Sequence, residues 1–299
     1  LAFDNLLHYM SRMIDNASYF LLDIIYSESG FNPSSVSLLE IDNKILANIR
    51  FVNYIIKPNG GYTYKDKVMT KNAFIFLNYN LEPISNLEFM NDKLNNLTSK
   101  NVEVMGLEDI RLYLNNNKVY YTAVTMEYSY NDKIRIINGE YNYEKKEFNN
   151  NICMIPPSET ECEKNWLRIN DKFIYKWHPL QIGSLKNNKL EIYYTCNTPN
   201  FFNKYRGSTN SFEFKKQYWF VTHGIANSNP RKYFHQIVIL DENYNIIKYT
   251  VPFYFDKLAI EYCLGFIIIG DSAYFTCSRN DANPIIVKIP LNNLQKYFM

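Results

Sequence analysis

Apolar and polar positions beyond Pro33 recur as one unit: an apolar run, a short polar turn and a second apolar run. The unit occurs at Ser35–Ile56, Glu108–Val124, Asn165–Trp177, Thr209–Gly224 and Cys263–Arg279. Each reads as a β-hairpin, with Asn, Asp, Gly or Lys at the turn. The turns centre near residues 43, 116, 171, 216 and 271. Between the hairpins lie further strand-like runs at Ala73–Leu77, Arg135–Ile137, Leu190–Tyr194, Gln236–Leu240 and Ile285–Ile289. About four strands per unit at a period of roughly 45–50 residues suits the blades of a propeller. The fold expected is therefore all-β, a five-bladed β-propeller over residues 31–299. A large β-sandwich is the alternative, but it has no reason to repeat hairpins at this spacing.

The first thirty residues differ. Leu6, Leu7, Met10, Met13, Ile14, Ala17, Phe20 and Leu21 fall at roughly helical spacing. They predict a short helical extension over residues 1–30, packed at the domain edge. The chain opens on Leu1 rather than Met, so an upstream domain in a longer chain is a candidate partner. Asp4, Arg12 and Asp15 interrupt the apolar stretch, which speaks against a signal peptide.

A length of 299 residues would ordinarily suggest two domains, but propellers of this size fold as one. Aromatic residues reach 16%, which suits strands. The excess of Asn, Lys, Ile and Tyr has a plainer reading in an AT-rich genome. A net charge of +2 provides no field for nucleic acid, and no apolar run is long enough to span a membrane. Five cysteines without a CxxC pair argue against a disulfide framework and a structural zinc site. They point to a cytoplasmic or otherwise reducing compartment. No metal site is expected.

Compact polar strings flank the hairpins, where a propeller would gather them near its axis. They are Asn32-Pro33-Ser34, Arg50 with Asn53, Gly106 to Arg111, Glu163 to Trp166, Arg206 to Asn210, His223, Tyr233 with His235, Glu261, and Ser278 to Asp281. Each has a bland alternative. Glu108-Asp109 could be a solvated turn, His223 a satisfied core histidine, and Glu261 the partner of a channel arginine. Trp166 and Trp177 read as core rather than as sugar platforms. The recurrence of the strings at one place in each repeat weakens the bland readings.

At these residues the chain resembles the inverting β-mannoside phosphorylase and mannosidase family. It also resembles the related mannosyltransferase/phosphorylase family of trypanosomatid parasites. That family's most recognisable string is Gly-x-Glu-Asp-Pro-Arg. Gly106, Glu108, Asp109 and Arg111 match it, with Ile110 in place of proline. Asn32-Pro33 followed by Arg50, Thr222-His223-Gly224 followed by Tyr233, and Asp281 after the Phe275–Ser278 run are also similar. The Glu163–Trp166 and Arg206–Ser208 strings have no firm counterpart.

The resemblance implies a five-bladed propeller that acts on a mannoside or similar hexoside with inversion. It implies Asp109 as general acid, with Glu108 and Arg111 holding sugar hydroxyls or orienting Asp109. Arg50 and Asn53 would bind the sugar, with Asn32, Glu261 and Asp281 as further substrate contacts. Lys164, His223 and Tyr233, then Arg206 and Arg231, would hold phosphate. No cofactor is implied; inorganic phosphate, a sugar phosphate or a nucleotide sugar would be the co-substrate. Phosphorolysis and glycosyl transfer stand level. A hydrolase would need a carboxylate base, for which Glu163 and Glu261 are available. A non-catalytic glycan- or protein-binding propeller is the competing class.

Overall fold

The structure is a computed structural model, and it describes residues 10–13, 18–21, 30–226, 228 and 230–299. Five sheets stand around a central axis as the blades of a β-propeller. Blade one pairs Asn32–Ile41, Lys44–Val52, Val68–Leu77 and Glu88–Phe89 in that order. Blade two pairs Glu108–Asn115, Lys118–Thr125, Arg135–Asn142 and Glu147–Cys153. Blade three pairs Leu167–Ile169, Lys172–Trp177, Leu180–Lys186 and Lys189–Cys196. In blade four, Tyr205–Gly207 and Phe212–Phe214 both pair with Gln217–Ala226, which is followed outward by Lys232–Leu240. Blade five is built from Glu261–Ile269, Ser272–Arg279 and Ala282–Pro290.

All five expected hairpins are present, and their turns explain why. Asp42 and Asn43, Asn116 and Asn117, and Lys215 and Lys216 are consecutive pairs with φ between 49° and 60°. Two left-handed residues in a row make the turn whose twist matches that of paired strands. Asn and Asp adopt that conformation more readily than most residues.

Five hydrophobic clusters fill the spaces between neighbouring blades. Aromatic rings dominate them: Phe74, Tyr121, Tyr141 and Phe148 lie between blades one and two, and Phe201, Phe202, Phe220 and Phe234 between blades three and four. Wide rings suit two flat sheet faces and bury much apolar area each. Trp166 and Trp177 are both core residues, 2% and 3% exposed.

The helical extension is corrected where the segment is described. Ser11–Arg12 pairs in parallel with Phe253–Tyr254, and Ser18–Leu21 pairs antiparallel with Ile285–Lys288. The outer edge of Ala282–Pro290 presents a row of backbone donors and acceptors that needs partners. That long-range demand overrides the helical spacing. The remainder of residues 1–30 assigned to the helix lies outside the described residues, apart from Met10, Met13 and Gly30. Among the described residues, no helix is long and apolar enough to cross a membrane. All five cysteines carry free thiols.

Candidate active site

The start of blade two carries an irregularity that sets the site. Gly106 has φ +90°, and a Cβ there would lie 2.2 Å from the Thr70 carbonyl oxygen. Its N–H donates to Glu127 at 2.7 Å, which fixes the approach to the strand. The strand then bulges between Glu108 and Arg111, and Asp109 takes a left-handed φ of 52°. A bulge re-aims side chains. Here both Glu108 and Asp109 line one cavity of about 610 Å3. Ile110, at the family's proline position, is fully buried between blades one and two.

Arg50 is the centre of the charge cluster. It lies near the end of the second strand of blade one, 5% exposed. Its Nη1 donates to Asp109 Oδ1 at 3.2 Å, its Nη2 stands 3.8 Å from Glu108 Oε2, and its Nε donates to Thr70 at 3.3 Å. Burial alone would lower the Arg50 pKa; Tyr54, Glu108, Asp109 and Asp281 together outweigh it and raise it. Ser35 adds a donor to Asp109 at 3.3 Å. Lys164 donates to Glu108 at 3.3 Å, and that carboxylate is the main reason its pKa is raised.

Asp281 faces the same cavity and accepts a hydrogen bond from the Tyr54 hydroxyl at 2.8 Å. Burial raises its pKa, opposed by Arg50 and the Tyr54 bond. Burial also raises the Tyr54 and Tyr262 hydroxyls. His223 is held neutral: burial first, then Arg111 and Arg206, push its pKa down to about 3. Its Nδ1 lies 2.9 Å from Ser208 Oγ.

Arg111 works from behind. Its Nε donates to Ser208 O at 2.7 Å, its Nη1 to the Asp109 carbonyl at 3.2 Å, and its Nη2 to Tyr262 at 2.8 Å and Asn165 at 3.2 Å. It holds the Asp109 backbone and does not line the 610 Å3 cavity.

Of the residues singled out in the sequence, Arg50, Glu108, Asp109, Lys164, Arg206, His223, Arg231, Tyr233 and Asp281 all line this cavity. Asn32, Asn53 and Glu261 do not. Asn32 is exposed at the start of its strand. Asn53 donates to Lys67 O and accepts from Met69 N, both at 2.8 Å, so it closes the base of the 54–67 loop. Glu261 is 1% exposed and accepts the backbone N–H groups of Phe255, Asp256 and Lys257 at 2.8–2.9 Å. Asn165, from the Glu163–Trp166 string, also lines it, and among the lining residues that escaped the reading of the sequence are Tyr54, Tyr62, Tyr64 and Tyr262.

No protein-family model matches the chain, and no curated protein matches it. Solved structures do. A β-1,2-mannobiose phosphorylase from Listeria innocua superposes with a TM-score of 0.64 at 12% identity, covering 94% of this chain and 98% of its own. A mannose phosphorylase from Leishmania mexicana, in complex with phosphate ion, gives 0.55 at 10% identity, covering 94% and 90%. A structure from the mannoside phosphorylase family, which contains glycoside hydrolases that target β-1,2 mannosidic linkages, gives 0.60 at 10%, covering 91% and 94%. In fold, this chain is a five-bladed propeller of the kind found in the mannoside phosphorylases.

Proposed function

We propose that the 610 Å3 cavity is the active site of a carbohydrate-active enzyme, an inverting glycoside phosphorylase or glycosyltransferase acting on a mannoside or similar hexoside. One observation carries the reading. Asp109 is aimed into a polar cavity by a bulged, left-handed backbone, with Arg50 at 3.2 Å and a ring of further cations around it. A strained backbone at a site is a reason to suspect function.

In the phosphorolytic direction, Asp109 gives its proton to the leaving oxygen, relayed through a hydroxyl of the sugar. A phosphate oxygen attacks the anomeric carbon from the opposite face. The glycosidic C–O bond breaks as the new C–O bond to phosphate forms, and the configuration inverts. Phosphate is already an anion and needs no general base. Lys164, Arg206 and Arg231 bring positive charge to the cavity, and neutral His223 and the Tyr233 hydroxyl offer hydrogen bonds. Arg50 and Asp281 are placed to hold sugar hydroxyls. Glycosyl transfer uses the same groups, with a sugar phosphate or nucleotide sugar as donor.

Hydrolysis is less well supported. Its two base candidates, Glu163 and Glu261, are both engaged elsewhere. Glu163 is 5% exposed and accepts from Trp166 Nε1 at 2.8 Å and Thr160 at 2.7 Å. Glu261 is held by three backbone donors.

The test is a donor screen: phosphate with β-mannosides, then sugar 1-phosphates and nucleotide sugars with free-sugar acceptors. Release of a sugar 1-phosphate, or transfer from a donor, is expected, with turnover falling about 10²–10⁴-fold in Asp109→Asn. Silence across all donors, with a glycan still raising the melting temperature, would favour the binding module instead.

A further inference from the structure

A second cavity, with its own opening, lies along the inner strands of the blades. Ser37–Glu40, Arg111–Leu114, Thr209–Glu213 and Leu264–Ile267 surround this separate space of about 300 Å3. Arg111 is the partition: its side chain reaches Asp109, Asn165 and Tyr262, yet the residue lines this second space. The volume is at the lower end of the ~300–1,000 Å3 typical of small-molecule sites.

Arg168 lines this cavity and is unusually prepared. Its guanidinium carbon lies 4.8 Å from the Tyr113 ring centre and 5.0 Å from that of Phe173. Two rings therefore flank the guanidinium. Its backbone N–H donates to Asn210 at 2.8 Å. Among the described residues, no carboxylate stands within ion-pair distance of its side chain, and its Nε is buried with no hydrogen-bond partner. Asp171 is the nearby carboxylate, and Lys172 takes its Oδ1 at 2.8 Å. Burial accordingly lowers the Arg168 pKa. A planar guanidinium edge matches a planar carboxylate, which can accept two parallel hydrogen bonds.

We infer that this second cavity is a binding site for a small monocarboxylate, held by Arg168 at its charged end. The rest of the wall defines the ligand. Glu40 and Glu213 also line the cavity, and their repulsion acts more strongly on a dianion such as phosphate than on a monoanion. Leu38, Leu112, Phe212 and Phe266 supply apolar surface for its body. The inference is independent of the role given to Asp109.

Isothermal titration calorimetry on the full chain tests it, at constant ionic strength, with sodium benzoate, sodium glucuronate and inorganic phosphate as probes. At least one carboxylate should bind wild type and Asp109→Asn equally. The tighter of the two shows whether the body is aromatic or sugar-like. Arg168→Gln should weaken that binding roughly tenfold or more. Leu114→Trp should do the same by filling the mouth from a position that is 46% exposed, and it serves if Arg168→Gln does not fold. No carboxylate binding, binding unchanged in the folded variants, or phosphate binding as tightly as the carboxylates would each overturn the inference.

Discussion

Arg50 and Asp109 are 59 residues apart in sequence and meet at 3.2 Å across the seam between blades one and two. The same guanidinium faces Glu108 and is raised further by Asp281, so one buried cation holds three carboxylates in one cavity. Removing it leaves like charges together in a partly buried place. Arg50→Gln should lose about 3 kcal/mol of stability in urea unfolding. The double variant with Asp109→Asn should lose less than the two single losses added, because one uncompensated charge is gone.

Gly106 is required twice over, by its φ of +90° and by the 2.2 Å approach of a Cβ to the Thr70 carbonyl oxygen. Backbone cannot yield as a flexible side chain can. Gly106→Ala should cost about 2–4 kcal/mol and displace the Glu108–Asp109 bulge. Thermal unfolding and the donor screen would both register it. An Ala variant with wild-type stability would show that the loop has room to relax.

Tyr54 donates to Asp281 at 2.8 Å and so favours its ionised form. Burial already raises the Asp281 pKa. Tyr54→Phe removes the donor, so the titration of Asp281 should move further up. Carboxyl carbon chemical shifts followed against pH would report it. A downward move would mean that the hydroxyl is not an effective donor in solution.

His223 and His235 sit opposite each other on adjacent strands of blade four, both buried. Burial, then neighbouring charge, lowers His223 to about 3 and puts His235 well below its ordinary value. Their folded pKa values lie below the unfolded value near 6.5. The unfolded chain therefore binds more protons below about pH 6.5, and stability must fall as pH drops through that range. Each buried histidine contributes a slope of up to ~1.4 kcal/mol per pH unit. Urea midpoints between pH 7.5 and 5.5 should decline, and His223→Gln should remove about half of this histidine-linked slope.

The propeller was legible because its signals are local. Asp42-Asn43 and Asn116-Asn117 announce their turns within a few residues, and the apolar runs on either side define the hairpins. The strand at Ser18–Leu21 was not legible, because its partner is at the far end of the chain. Asn32 and both its neighbours lie away from the cavity, but three other misses fall one residue from its wall, and that error has a pattern. Asn53, Glu163 and Glu261 were chosen for their polar groups, yet each turns to a structural task while its neighbour, Tyr54, Lys164 or Tyr262, enters the cavity. Successive side chains in extended backbone point to opposite sides. Composition marks the string that reaches the axis, but not which of two neighbours faces it.

The pairing of Ser18–Leu21 with Ile285–Lys288 also orders events in time. Ribosomal synthesis makes the early segment long before its partner exists, so blade five cannot gain its outermost strand until all five blades have been synthesised. Pairing across so much sequence is slow to form. Once formed, it ties the last blade back to a segment that precedes blade one. Blade five then cannot detach while the rest of the ring stays intact, and unfolding should begin by undoing the contact that was made last.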